Sequence, residues 1–161
     1  MKIEAVTSGD YPFILGLNRE WVHYLSPLDE ARLAWLDGMA AYHRIVRVDE
    51  EPLAFLLALG PGCEYDSSNY RWFDRHYSDF IYIDRVVVAT RAQGRGLGRE
   101  LYRHLIGHAR ACQIPRVACE FDLQPPNEAS RRFHESFGFR PVGDQGDPNT
   151  GKQVSLQVLT L

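Results

Sequence analysis

Residues 91–98 read Arg91-Ala-Gln-Gly-Arg-Gly-Leu-Gly98, with Gly94, Gly96 and Gly98 at every second position. The apolar run FIYIDRVVV (80–88) precedes them and RELYRHLIGHARA (99–111) follows. The first run is apolar on both faces for most of its length, as a central strand is. The second places Leu101, Leu105 and Ile106 on one helical face. A strand, a glycine loop and a helix in this order imply a backbone that turns through positive φ, which glycine adopts without a Cβ penalty. Successive amides then converge on one concavity and the helix adds its positive end, so the loop suits an anion. With Arg91 and Arg95 close by, a diphosphate is the ligand that fits best.

Other phosphate loops are excluded by spacing. A dinucleotide fingerprint needs G-x-G-x-x-G, and here the third glycine comes one residue early, with Arg99 next. A Walker loop needs Lys and then Ser or Thr, and neither follows Gly98.

Around this unit the chain alternates in period. Residues 2–7 predict a strand, then helices around Phe13–Trp21 and over 29–39. Strands are predicted at 43–48 and 53–59, with Asp49-Glu50-Glu51-Pro52 as their turn. Residues 60–79 are polar and aromatic and too long for an ordinary connection, so they are functional or mobile. A strand at 116–121, a helix at 127–137 stopped by Gly138, and strands at 140–142 and 153–161 complete the chain. Asp147-Pro-Asn-Thr-Gly151 is turn chemistry between the last two. The class is α/β, with a mixed central sheet of about seven strands flanked by about four helices. The length of 161 residues predicts a single domain over 1–161.

Composition removes several functions. Net charge is −3, so nucleic acid is not an expected partner. The longest apolar run, 53–59, is far short of the ~20 residues of a membrane span, and residues 1–11 lack the apolar segment of a signal peptide. Cys63, Cys112 and Cys119 form no C-x-x-C pair, which fits a reducing, cytoplasmic setting. The six histidines make no H-E-x-x-H or Cys/His cluster, so no metal is expected.

The pattern Arg91-x-x-Gly94-x-Gly96 resembles the coenzyme A loop of the GNAT superfamily of acyl-CoA-dependent N-acetyltransferases, Q/R-x-x-G-x-G/A. A second landmark of that family, N-x-x-S-x-x-F-x-x-x-x-G-F, is matched by Asn127, Ser130, Phe133, Gly138 and Phe139. The order of elements also matches over nearly the whole chain. The resemblance implies acetyl-CoA as cofactor, with the pantetheine arm between splayed fourth and fifth strands. It implies that the backbone of Val86, Val87 and Val88 pairs with pantetheine and the acyl carbonyl. It also implies that Gln93, Gly94, Arg95, Gly96, Leu97 and Gly98, with Arg99, hold the pyrophosphate. Asn127, Ser130, Arg131 and His134 share one helix face by their spacing, which the resemblance turns toward the cofactor. His134 departs from the family, where Tyr is common as the acid for the departing thiolate. Imidazole can do related work, and a thiol of pKa ~8.5 needs little help.

The implied reaction is direct attack by the primary amine of a small molecule or peptide on the thioester. An alkylammonium of pKa ~10.4 must first lose a proton, and a carboxylate near the cleft could take it. Glu120 is the first candidate base, Asp84 the second and Asp122 a third. The aromatic segment from Tyr65 to Tyr77 is the expected acceptor wall. An exposed edge of the C-terminal strand could support a homodimer, by analogy with the family alone. The rival reading is a catalytically weak CoA-binding sensor or interaction domain of the same fold, suggested by His134 in place of Tyr.

Overall fold

The computed structural model describes residues 1–147 and 150–161; Pro148 and Asn149 of the predicted 147–151 turn lie outside them. Seven strands form one mixed sheet: β1 (Lys2–Ala5), β2 (Ala40–Val48), β3 (Glu51–Leu59), β4 (Ile81–Val88), β5 (Arg116–Gln124), β6 (Arg140–Gly146) and β7 (Gln153–Thr160). Their order in the sheet is β1-β2-β3-β4-β5-β7-β6. The helices are α1 (Tyr11–Glu20), α2 (Glu30–Met39), α3 (Ser68–His76), α4 (Leu97–Ala111) and α5 (Glu128–Phe137). The described residues thus hold five α-helices where four are expected.

The additional helix is α3, inside the segment read from sequence as an overlong connection. The Ser67 side chain accepts from the Tyr70 amide and starts it. Tyr70 and Phe73, three apart, are fully buried. Dense aromatics and charges hide a helix here because only two of its nine residues carry the apolar face.

Residues 1–59 and 83–108 form one compact unit, and residues 60–82 and 109–161 a second. In the first, β1 and β3 pair antiparallel with β2. The hairpin between β2 and β3 turns on two residues only, Asp49 and Glu50, both left-handed at φ 51° and 65°. Pro52, expected in the turn, is instead in β3 opposite Arg47, beside a register shift where a missing amide is tolerated. From α4, Leu97, Leu101, Tyr102, Leu105 and Ile106 are buried at the predicted helical spacing.

Arg85 is buried in this unit. Its Nε donates to Asp84 at 2.6 Å, and its terminal nitrogens donate to Asn18 Oδ1 at 2.8 Å and Ser26 Oγ at 3.0 Å. The side chains of Arg85 and Asp84 are 3% and 5% exposed, so the pair is desolvated. Removing one partner of such a pair costs about 3–5 kcal/mol, because the other charge stays buried. Arg85→Ala is expected to lose that much in urea unfolding, and an unchanged midpoint would refute the account.

In the second unit β4 and β5 are parallel, with Ile81 opposite Val117, and β5 and β6 each pair antiparallel with β7. Tyr70 and Phe73 of α3 pack against Tyr82 at 5.6 Å between ring centroids. None of the three cysteines is in a disulfide, and they are unequal: Cys112 is exposed, Cys63 half-buried and Cys119 buried. Burial, and then the charge of Glu120, push the Cys119 thiol well up.

Candidate active site

In the first unit the glycine loop leaves β4 through a short 3-10 turn at Thr90–Ala92. Gly94 and Gly96 have φ of 76° and 78°, the left-handed region expected from their spacing. Beyond their chain neighbours, no heavy atom of the described residues lies within 4 Å of the position a Cβ would take at either one. The Glu100 amide donates to the Gly96 carbonyl at 3.0 Å, which makes Gly96 the residue that opens α4. The amides of Leu97, Gly98 and Arg99 therefore fall in the first turn, where a helix has no internal acceptors for them. Gln93, Gly94, Arg95 and Gly96 are all exposed. An open, left-handed loop running into a helix N-terminus fits the pyrophosphate of a coenzyme A.

Two anchors hold the loop. The Thr90 amide donates to Glu20 Oε1 at 3.0 Å, and the Thr90 hydroxyl binds the same oxygen. These two hydrogen bonds, the hydroxyl's first, keep the Glu20 carboxyl below its usual range. Arg91 pairs with Glu51 at 2.6 Å and reaches the Pro52 carbonyl. Its charge, which the sequence offers to a phosphate, is thus largely answered by Glu51.

Val86, Val87 and Val88 end β4, with Val87 buried and its neighbours half-buried. Asp84, the second candidate base, is committed to the ion pair with Arg85.

In the second unit Glu120 projects from β5. Its Oε1 accepts from the Tyr82 hydroxyl at 2.9 Å and from Asn69 Nδ2 at 3.3 Å. Asp122, the third candidate, lies 3.9 Å from Lys152. Of the aromatic wall, Tyr65, Tyr70 and Phe73 are buried inside the unit, while Trp72 stacks on His76 at 3.8 Å. Core packing thus takes up most of the wall expected from sequence.

Helix α5 starts and ends as its sequence predicts. Asn127 Oδ1 accepts from the Ser130 amide at 3.1 Å, and Gly138 closes it at φ 96°. By their spacing Phe133 and Phe137 form the neighbouring face, the one expected to pack inward, and the structure differs. His134 is the buried residue of α5, while Phe133 and Phe137 are half-buried. The imidazole stacks on Phe121 at 5.7 Å and meets Phe139 edge-on at 5.3 Å. His134 Nδ1 lies 2.7 Å from the Ser130 carbonyl, which can only accept, so Nδ1 carries the proton. Burial lowers the His134 pKa, more than the Ser130 carbonyl raises it, and the ring is neutral near pH 7. Asn127, Ser130 and His134 are thereby brought together, whereas Arg131 is held by Glu128 at 2.7 Å and by Glu135 at 3.6 Å.

Among the described residues, no three His, Cys, Asp or Glu side chains are grouped to hold a metal ion, and no helix is long and apolar enough to cross a membrane.

Comparison with known proteins converges on one family. The model of the acetyltransferase (GNAT) family matches residues 11–139. A phosphinothricin N-acetyltransferase of Streptomyces viridochromogenes is 30% identical over 125 residues, covering 78% of this chain and 56% of that protein. The chain spans between 30% and 56% of the length of the curated relatives it matches. Among solved structures, the ribosomal-protein-alanine N-acetyltransferase from Brucella melitensis superposes with a TM-score of 0.77 at 20% identity, over 100% of both chains. Arabidopsis thaliana Naa50, in complex with the bisubstrate analogue CoA-Ac-MVNAL, superposes with a TM-score of 0.76 at 13% identity, over 99% of this chain and 98% of that one. These likenesses establish the fold.

Proposed function

Since the chain belongs to the GNAT acetyltransferase family, we propose that it is an N-acetyltransferase that carries an acetyl group from acetyl-CoA to a primary amine of a small molecule or peptide. The observation that carries this reading is the glycine loop, left-handed at Gly94 and Gly96 and opening directly into α4. Acetyl-CoA, when bound, supplies a thioester carbonyl for attack and a thiol as leaving group. The amides of Gln93 to Arg99 bind its pyrophosphate, with the Arg95 and Arg99 guanidiniums adding charge. The backbone of Val86, Val87 and Val88 orients the acyl arm and polarises its carbonyl.

Glu120 accepts the proton that the incoming ammonium must lose. Asp84 is the weaker candidate because Arg85 already occupies its carboxylate. Asn127 and Ser130 face the pantetheine. His134 contacts the cofactor rather than protonating the thiolate in its resting form, because its proton is on Nδ1 and held by Ser130. The acceptor class is supported by the relatives, named for phosphinothricin and for a ribosomal-protein alanine. Residues 1–161 act as one catalytic domain, and cysteines outside any disulfide suit the cytoplasm.

Thermal unfolding with acetyl-CoA, CoA and ATP tests this first. A ligand at 100 times its Kd adds about 2.7 kcal/mol of stability. A rise with acetyl-CoA and CoA but not ATP is expected. Thiol release is then expected with at least one of phosphinothricin, a peptide with N-terminal alanine, or spermidine. No rise at saturating acetyl-CoA would overturn the reading.

A further inference from the structure

The Glu120 carboxylate is held by a chain of side chains that reaches from one edge of the sheet to the base. Gln145 on β6 donates from Nε2 to Asn69 Oδ1 at 3.0 Å, and Asn69 at the start of α3 donates from Nδ2 to Glu120 Oε1 at 3.3 Å. A primary amide has one accepting end and one donating end. With Gln145 occupying the oxygen, Asn69 must turn its NH2 toward Glu120. The opposite orientation would set two oxygens face to face. All three residues belong to the same compact unit.

We propose that Asn69 is a positioning residue for the Glu120 base, and that Gln145 enforces the amide orientation that keeps this carboxylate ionised and aimed. The proposal rests on Glu120 being the base. A donor aimed at a carboxylate favours its charged form, and an accepting oxygen in the same place disfavours it. Its other neighbours include the Tyr82 phenol from β4, which donates to the same oxygen, the Cys119 thiol, adjacent on β5, and, two residues on along that strand, Asp122, which lies 3.9 Å from Lys152. Across the ladder β7 presents Leu156, which carries no charge. Asn69 is a neighbour whose sign is set by its orientation, and Gln145 sets that orientation.

The test is a carboxyl-carbon NMR titration of protein labelled at glutamate, with the Glu120 signal assigned by its absence in Glu120→Gln. Asn69→Ala removes the donor and is expected to raise the Glu120 midpoint by about one pH unit. Asn69→Asp puts a second carboxylate beside it and is expected to raise it further. Gln145→Glu is the sharper variant. Its side chain, when ionised, only accepts, so Asn69 must flip and offer its oxygen to Glu120. A rise of similar size is expected from this change two side chains away on an edge strand, where misfolding is a small risk. In the acetyl-transfer assay, the same variants should move the acid limb of the kcat/KM profile upward with little change in the KM for acetyl-CoA. A Glu120 midpoint unmoved by both Asn69→Ala and Gln145→Glu would overturn the inference. Full turnover in Glu120→Gln would instead overturn the base assignment it rests on.

Discussion

Gly96→Asp is expected to abolish acetyl-CoA binding, with at least a ~100-fold loss of affinity by titration calorimetry. Two effects contribute and their sizes differ. Residue 96 sits at φ 78°, and a side chain there costs about 1–2 kcal/mol of backbone strain, less for Asp and Asn than for others. The charge matters more. A unit negative charge ~4 Å from another costs about 1 kcal/mol in water and about 4 kcal/mol at an effective dielectric near 20, and a pyrophosphate carries more than one. Gly96→Asn has nearly the same shape without the charge and should lose about tenfold or less by the same strain argument. Beyond its chain neighbours, no heavy atom of the described residues lies within 4 Å of the added Cβ, so neither variant should disturb the fold at that point. Equal affinities for the Asp variant and the parent would mean that the loop is a turn and nothing more.

Glu120→Gln is the second large effect. General-base catalysis contributes about 10²–10⁴ in rate, and Gln keeps the shape of Glu while losing its basicity. Turnover should fall within that range, most steeply at lower pH, where the ammonium of pKa ~10.4 most needs an acceptor for its proton. The affinity for CoA should hold, because the residues proposed to bind the pyrophosphate lie in the other unit. A pH profile identical to the parent's would remove Glu120 as base and return the role to Asp84 or Asp122.

Features set by neighbours in the chain were legible in the sequence, and those set by distant partners were not. Gly94 and Gly96 announce their left-handed backbone by residue type, and Asn127 and Gly138 announce both ends of α5. The helical spacing of Leu101, Leu105 and Ile106 likewise gives the buried face of α4. Asn69 and Glu120 are 51 residues apart, and Gln145 and Asn69 are 76 apart, so their chain exists only once the sheet is assembled. Arg85 finds Asn18 and Ser26 from 67 and 59 residues away. His134 misleads for a related reason. Beside two phenylalanines on its own helix it reads as the polar face, yet Phe121 and Phe139 supply the apolar surroundings that bury it. Ser67 carries a legible capping signal for α3, but period alone cannot separate a short aromatic helix from a packed loop.

The three unequal cysteines make the protein its own clock. An alkylating reagent reacts with thiolate that it can reach, so Cys112 should be modified at once and Cys63 more slowly. Cys119, buried on β5 with its thiol pushed up, can react only when that strand opens. Its labelling rate, read as an added mass, therefore counts openings of the core under native conditions. A ligand that stabilises the folded chain would lengthen that interval, so cofactor binding can be timed without heat, denaturant or a turnover assay.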